Sequence, residues 1–197
     1  MVEKGISDKK RKRVAWGITG CGDRLIETVE IMKEIKNQYE DEVEVEVYLS
    51  KAGLQVLKHY RLVDDLEESF AKVQVEVDAN TPFLAGALQL GAFEFLVIAP
   101  ATSNTVAKLS IGISDTLLCN SAIMALKASV PVYILPSDLE EGIIVTKKPD
   151  GHSLKLRVRK EDANNTKKLA DMYGIFILKK TEDIKKIFAK YFKANIK

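Results

Sequence analysis

Apolar residues in this chain fall into short runs that alternate with segments in which they recur at helical spacing. Five apolar or alternating runs predict strands, at residues 14–19, 43–49, 73–77, 95–99 and 130–135. The segments between them predict helices, at residues 25–35, 54–58 with a weaker continuation to 70, 81–90, 104–109 and 114–128. Strands that alternate with helices pair in parallel through right-handed crossovers, so the pattern predicts a doubly wound, mainly parallel α/β sheet.

Local signals refine these elements. Pro100 is expected to end the fourth strand, because proline has no N–H to give to a ladder. Thr81-Pro82 predicts a helix start, and Ser114-Asp115 predicts another after the interruption at Gly112. The alternation at 43–49 places charged residues on one face, which predicts a strand near a sheet edge.

After Pro136 the pattern changes. Residues 142–147 and 153–159 alternate apolar with polar side chains across Pro149-Asp150-Gly151, which predicts a β-hairpin. The remaining elements are predicted as a helix, a strand and a final helix, at residues 161–173, 175–178 and 181–192. The predicted fold is therefore a doubly wound sheet with a C-terminal hairpin and helices.

The composition is that of a globular domain. The chain has 197 residues, of which 46% are hydrophobic and 29% charged, and no apolar run approaches the roughly 20 residues that span a bilayer. Cys21 and Cys119 are far apart, and the chain has two histidines, which argues against a disulfide framework and against a zinc site. We therefore expect a cytoplasmic protein with no membrane partner and no metal.

The net charge of +2 hides a basic run at residues 9–13, directly before the first strand. We predict a basic N-terminal arm at residues 1–13, followed by one domain at residues 14–197. Contact with nucleic acid or a membrane surface is one interpretation of such a run, and a solvated arm is another. We favour the solvated arm and expect no nucleic-acid partner.

Small polar residues follow three of the predicted strands, at Thr19-Gly20-Cys21, Ser50-Lys51 and residues 101–105. Ligands of doubly wound sheets bind at the carboxyl ends of the strands, where helix N-termini hold free N–H groups that suit an anion. The glycines at 17–22 do not match a dinucleotide fingerprint, and Ser50-Lys51 favours a phosphate over a ribose diol. Ordinary tight turns and capped helix starts remain the alternative interpretation of each loop.

Three motifs in order carry a family resemblance. The strings Ile-Ala-Pro-Ala-Thr-Ser-Asn-Thr-Val-Ala-Lys-Leu at 98–109 and Gly-Ile-Ser-Asp-Thr-Leu-Leu at 112–118 follow Val-Ala-Trp-Gly-Ile-Thr-Gly at 14–20 and Leu-Ser-Lys-Ala at 49–52. Together they resemble the flavoprotein family of FMN-dependent cysteine decarboxylases and their relatives, over roughly residues 13–136. The resemblance implies a Rossmann-like FMN domain and a homo-oligomer, either a trimer or a multiple of trimers, with flavin at the subunit contacts.

The resemblance also implies the residues of a site. Thr19 to Cys21 and Ser50 would serve the FMN phosphate, and Thr102 to Thr105 would hold phosphate and ring, with Asn104 facing the isoalloxazine. The complete set of candidate cofactor-binding residues is Thr19, Gly20, Cys21, Ser50, Lys51, Thr102, Ser103, Asn104, Thr105, Asn120 and Ser121. No catalytic acid or base is predicted.

Departures from the family pattern indicate the subtype. Ala85 or Gly86 stands where the decarboxylases carry a catalytic histidine, and residues 136–143 replace their Pro-x-Met-Asn-x-x-Met-Trp substrate clamp. Asn120 stands where the prenyltransferases carry an arginine. The opening at 16–20 and the Leu-Arg-Val-Arg-Lys-Glu-Asp segment at 156–162 are instead similar to the archaeal branch that includes dihydromethanopterin reductase (acceptor). That branch implies electron uptake from reduced ferredoxin and delivery to a pterin or a redox protein.

A second basic zone bears on the electron donor. Eight Lys or Arg residues lie between 147 and 168, and Lys155, Arg157 and Arg159 share one face of the predicted hairpin. Such a stripe suits an acidic ferredoxin, an anionic substrate tail or solvent alone.

The predicted function is an FMN-dependent oxidoreductase with dihydromethanopterin as candidate acceptor. A phosphopantothenoylcysteine-type decarboxylase and a flavin-storing or regulatory subunit remain alternatives.

Overall fold

The computed structural model describes residues 11–193, which contain eight strands and eight helices. The strands are β1 (Lys12–Ile18), β2 (Val43–Leu49), β3 (Val73–Val75), β4 (Leu96–Ala101), β5 (Val132–Pro136), β6 (Gly142–Lys147), β7 (Ser153–Val158) and β8 (Ile175–Ile177). The helices are α1 (Leu25–Gln38), α2 (Lys51–Tyr60), α3 (Val63–Ser69), α4 (Leu84–Gln89), α5 (Ser103–Ser110), α6 (Leu117–Lys127), α7 (Lys160–Ala170) and α8 (Asp183–Tyr191).

Six of the strands form one parallel sheet in the order β3-β2-β1-β4-β5-β8. The order reverses direction between β1 and β4, so the predicted doubly wound α/β sheet is confirmed. Most of the predicted N-terminal arm at 1–13 lies outside the described residues. β1 begins at Lys12, so the last two residues of that predicted arm belong to the sheet.

Both faces of the sheet are covered, which explains why the central strands read as nearly continuous apolar runs. One core packs α1, α2, α3 and α8 against the sheet and contains the fully buried rings of Trp16, Phe95 and Phe188. The other core packs α4, α5, α6 and α7 against the opposite face, around Ile98 and Leu118. The Trp16 indole N–H donates to the Ala99 carbonyl at 2.7 Å, so its polar atom is satisfied inside the core.

The local signals at Pro100, Thr81 and Ser114 were wrong in detail. β4 continues through Pro100 to Ala101, because proline lies where the register with β5 shifts and no ladder N–H is needed there. Thr81 donates its backbone N–H to the Asp78 carboxylate at 2.9 Å in a turn, and α4 begins only at Leu84. α6 is capped by Thr116, not by Ser114-Asp115.

The prediction that residues 43–49 form a strand near a sheet edge is confirmed, because β2 lies next to the edge strand β3. The Glu46 side chain on this strand is nevertheless only 2% exposed. Arg13 Nε donates to one carboxylate oxygen at 2.6 Å, while Lys72 Nζ and the Tyr48 hydroxyl each approach the other at 2.7 Å. Although burial raises the pKa of Glu46, these three partners outweigh it and hold that pKa below its ordinary value.

The predicted hairpin is present as an antiparallel pair apart from the main sheet. Ile144 lies opposite Leu156 and Thr146 opposite Leu154, so these four side chains share one face. Val145 lies opposite Lys155 and Ile143 opposite Arg157 on the other face. The hairpin therefore has one largely apolar face and one face that carries cationic residues.

We predict that Glu46→Gln lowers the free energy of unfolding at neutral pH by about 1–3 kcal/mol, since the amide cannot accept from all three donors. A folded-state pKa below the unfolded value means that the charged carboxylate contributes stability above the ordinary pKa of 4.5 and loses it as the pH falls through the folded value. The difference between wild type and variant should therefore narrow on acidification in urea titrations. Glu44→Gln, on the same strand, is the control, and a difference that stays constant with pH would contradict the assignment.

Candidate functional site

A cavity of about 530 Å³ opens at the sheet edge where β1, β2, β3 and β4 end. This position follows from topology, because the carboxyl ends of parallel strands meet at one edge. Its lining includes eight of the sequence-predicted site residues, namely Thr19, Gly20, Ser50, Lys51, Thr102, Ser103, Asn104 and Thr105.

Three helices begin at this cavity, and each has a hydroxyl cap. Ser50 caps α2 by accepting from Gly53 N at 2.9 Å, and Thr102 caps α5 by accepting from Thr105 N at 3.2 Å. Thr116 caps α6 in the same way. The first amides of a helix have no acceptor within the helix, and the positive end of the dipole lies there, so each start suits a negative group, either from the chain itself or from a ligand.

The Thr19 hydroxyl joins two of the cavity loops. It donates to the Pro100 carbonyl at 2.9 Å and accepts from the Thr102 backbone N–H at 2.9 Å, so both of its roles are filled by backbone groups. Thr19 is 2% exposed. It therefore positions the loop after β1 against the cap of α5. Direct contact with a ligand is expected from the other residues that line the cavity.

Two glycines allow α2 to approach the end of β1 closely. A Cβ at Gly53 would lie 2.4 Å from the Ile18 carbonyl oxygen, and a Cβ at Gly20 would lie 2.7 Å from the Ala52 Cβ. Both contacts are far below van der Waals separation, so a side chain at either position would push the helix away. The absence of side chains here keeps the α2 start against the loop that it faces.

Sequence reasoning missed Glu76, which lines the same cavity. Its carboxylate accepts from the Lys51 backbone N–H at 3.0 Å and from the Leu117 backbone N–H at 2.9 Å. One side chain thus occupies the first amide of α2 and the first amide of α6. Glu76 directly follows β3, so the rule that located the other loops would have found it if the third strand had been predicted to end at Val75.

The cavity rim also carries an ion pair that was not predicted. Lys108 Nζ contacts both carboxylate oxygens of Asp115 at 2.9 Å. The hydrogen bond to Asp115 raises the pKa of Lys108, and the same contact lowers the pKa of Asp115. Both groups are therefore charged at neutral pH, and the pair links α5 to the segment that leads into α6.

The remaining predicted residues lie elsewhere. Cys21 lines a second, adjoining cavity, and burial raises its pKa to about 11, which keeps the thiol protonated. Asn120 Nδ2 donates to the Ala79 carbonyl at 2.9 Å, and the Ser121 hydroxyl is buried inside α6. Neither lines the 530 Å³ cavity. Cys119 is buried, and its pKa is also raised by burial.

Known proteins resemble this chain in sequence and in fold. The model of the family described as Flavoprotein matches residues 3–191. The chain belongs to the Flavoprotein family. This confirms the family resemblance that the three sequence motifs carry, and the cavity-lining loops lie within the matched region.

Three relatives are especially informative. An uncharacterised protein of Methanocaldococcus jannaschii is 49% identical over 91% of this chain and 95% of its own. Dihydromethanopterin reductase (acceptor) from the same organism is 28% identical over 89% of this chain and 95% of its own. The crystal structure of Burkholderia xenovorans DmrB in complex with FMN, described as a cubic protein cage for redox transfer, has a TM-score of 0.77 and 31% identity, over 92% of this chain and 96% of that one.

Two features are absent from residues 11–193. No helix in that range has the length and apolarity of a membrane span. In the same range, no group of three or more His, Cys, Asp or Glu side chains is arranged to hold a metal ion.

We predict that Glu76→Gln destabilises the protein by about 1–3 kcal/mol, because one amide nitrogen would then face a backbone N–H where an oxygen now accepts. Chemical unfolding followed by circular dichroism measures the change. Glu67→Gln, at an exposed position of α3, is the matched control and should have a negligible effect. Equal effects of the two substitutions would contradict the role assigned to Glu76.

Proposed function

We propose that this protein is an FMN-dependent oxidoreductase that takes electrons from reduced ferredoxin and passes them to an acceptor, with dihydromethanopterin as the candidate. The cavity at the carboxyl edge of the sheet, surrounded by three helix N-termini, is the observation that carries this proposal. Membership of the Flavoprotein family and the likeness to DmrB in complex with FMN support it.

The residues present fit the phosphate of FMN. At the α5 start, Thr102 occupies the amide of Thr105, which leaves the first-turn amides of Ser103 and Asn104 available to an anion. Lys51 adds a cationic side chain to the same cavity. Bound FMN supplies the redox chemistry, since it exchanges electrons singly or in pairs. Asn104 is exposed at the cavity and is the candidate for contact with the ring.

The proposed reaction balances without an enzymic acid or base. Conversion of a dihydropterin to a tetrahydropterin takes up two electrons and two protons. Two molecules of reduced ferredoxin supply the electrons one at a time, and solvent supplies the protons. The chain's own contribution is to hold the cofactor beside its acceptor and to bind the donor.

The decarboxylase alternative lacks its expected base. Ala85 is buried, and a Cβ at Gly86 would lie 1.9 Å from the ring of Phe83, so the helix position that carries histidine in the decarboxylases offers no general base here. Residues 136–143, which replace their substrate clamp, form the end of β5, the following loop and the first two residues of β6. Both observations favour electron transfer over decarboxylation.

The outer face of the hairpin is the proposed ferredoxin contact. Lys155 and Arg157 lie on this face beside the exposed Val145 and Ile143, which gives a mixed cationic and apolar surface. Arg159 does not extend the stripe as predicted, because it precedes α7 and forms two 2.7 Å bonds with the Asp162 carboxylate. The donor surface therefore rests on two cations of the predicted three.

We further propose a homo-oligomer, either a trimer or a multiple of trimers, in the cytoplasm. The cage described for DmrB and the dodecamer described for an Escherichia coli UbiX-like decarboxylase support the oligomeric state by analogy. The free, buried thiols of Cys21 and Cys119 suit a reducing compartment.

An anaerobic cycle tests the function. FMN-loaded protein is reduced with ferredoxin, and dihydromethanopterin is then added. The flavin absorbance should fall on reduction and return with formation of tetrahydromethanopterin. If ferredoxin reduces the flavin but the pterin does not reoxidise it, the protein is an electron carrier or a flavin-storing subunit. Release of CO2 from phosphopantothenoylcysteine would establish the decarboxylase instead, and failure to bind FMN would overturn the proposal.

We predict that Lys51→Met weakens FMN binding roughly 10- to 100-fold, the range expected for loss of a charge-assisted contact of about 1.5–3 kcal/mol. Riboflavin has no phosphate, so its affinity should not change. Quenching of flavin fluorescence measures both constants, and Lys58→Met, an exposed position on the same helix, is the control. An equal loss of affinity for FMN and riboflavin would contradict a phosphate contact.

We predict that the double variant Lys155→Glu, Arg157→Glu raises the KM for ferredoxin about tenfold at low salt and less at high salt, because steering by surface charges is screened. The kcat with a small chemical reductant should stay unchanged. Lys127→Glu, at the opposite end of α6 from the cavity, is the control. A KM that is insensitive to the hairpin substitutions would remove this face from the donor contact.

A further inference from the structure

A second cavity of about 500 Å³ adjoins the proposed cofactor cavity and shares Gly20, Thr102 and Ser103 with it. Its roof is the hairpin β6–β7, and its floor is formed by the loops after β1 and β5. A ligand in the second cavity would therefore lie next to an occupant of the first. The volume is in the range of small-molecule sites.

The roof of this cavity is apolar. Ile144, Leu154 and Leu156 line it from the inner face of the hairpin, and Val56 adds to it from α2. Leu154 and Leu156 are 39% and 45% exposed, so two large aliphatic side chains are left facing open space beside the cofactor loops. Such a surface suits the flat face of a heterocycle, which is poorly hydrated.

The floor of the cavity is acidic. Asp23 and Asp138 both line it, and the charge of each carboxylate acts on the Cys21 thiol, so the three groups lie together. Asp23 forms an ion pair with Arg24, with 3.4 Å between Oδ2 and Nε. Within residues 11–193, Asp138 forms no direct ion pair, although it interacts electrostatically with Arg159, and the Ser137 hydroxyl donates to one of its oxygens at 3.1 Å. Asp138 can therefore accept hydrogen bonds from a ligand.

A tyrosine at the end of α2 holds the hairpin over this floor. The Tyr60 hydroxyl donates to the Lys147 carbonyl at 2.7 Å, at the end of β6. A Cβ at Gly22 would lie 2.5 Å from that hydroxyl, so the loop after β1 also packs directly against Tyr60. Tyr60 is thus a positioning residue that fixes the distance between the apolar roof and the floor.

We propose that this second cavity binds the electron acceptor as a flat, pterin-like heterocycle that places a ring edge with adjacent N–H donors on Asp138 and a ring face against Leu154 and Leu156. This inference rests on the proposed function. A carboxylate accepts two parallel hydrogen bonds from the neighbouring N–H groups of an aminopyrimidine edge. Because Lys147 and Lys148 also line this cavity, the cavity as a whole does not exclude an anion, and it is Asp138 that selects the donor-rich edge of the ligand.

The test is a titration of FMN-loaded protein with 7,8-dihydrobiopterin, followed by calorimetry. Asp138→Asn should raise the Kd at least about tenfold, because an amide offers one acceptor in place of two. Leu156→Ala should raise it about fivefold through lost apolar contact. The matched controls are Glu141→Gln, which removes a nearby charge outside the cavity, and Val145→Ala, on the outer face of the same hairpin. Neither control should change the Kd.

The outcomes separate this inference from the proposed function. The assignment of the cavity would be overturned if the wild type did not bind the pterin, or if Asp138→Asn and Leu156→Ala bound it with the same Kd as the wild type. Pterin binding with the expected pattern of variants but without reduction of dihydromethanopterin would support the cavity and overturn the reductase function. Turnover with a KM that neither substitution changes would support the function and place the acceptor elsewhere.

Discussion

The positive ends of three helices meet at one sheet edge, and their first backbone N–H groups need acceptors there. Glu76 provides acceptors for two of the helices, since its carboxylate accepts from the first amides of α2 and α6. The start of α5 is then left with amides that an external anion can take. The internal carboxylate thus determines which helix is available to a ligand, and the Thr19 hydroxyl fixes that helix relative to β1.

Much of the fold could be predicted because burial on both sides of the sheet leaves a simple pattern in the sequence. β2 and β6 have the predicted bounds, and the other strands differ by a few residues. Two errors have different causes. Pro100 continues its strand because the β5 register shifts beside it, and that partner strand is not visible in a local window of sequence. Thr81 turns toward Asp78, only three residues earlier, so the local Thr-Pro signal for a helix start was outweighed by an equally local turn.

The residues of the candidate site could likewise be predicted only in part. Polar residues after predicted strands located Thr19, Ser50 and Thr102 at the cavity, because chain topology alone brings strand ends together. Glu76 was missed because the alternation of residues 73–77 continued the strand through it. Asn120 lies in α6 with its side chain bound to the 79–80 turn, an orientation that depends on how the helix is rotated against α4. Position in the sequence does not determine that rotation.

Helix α2 limits where residues can be inserted into or deleted from this chain. Its capped first turn lies at the proposed cofactor cavity, and Tyr60, ten residues after the Ser50 cap, holds the hairpin about 15 Å away. Removal of one residue from this helix would rotate Tyr60 by about 100° around the axis and carry its hydroxyl away from Lys147. The exposed turn at 148–151 has no such constraint. Insertions and deletions among homologues should therefore be tolerated in the hairpin turn and rejected in α2, although both segments border the same cavity.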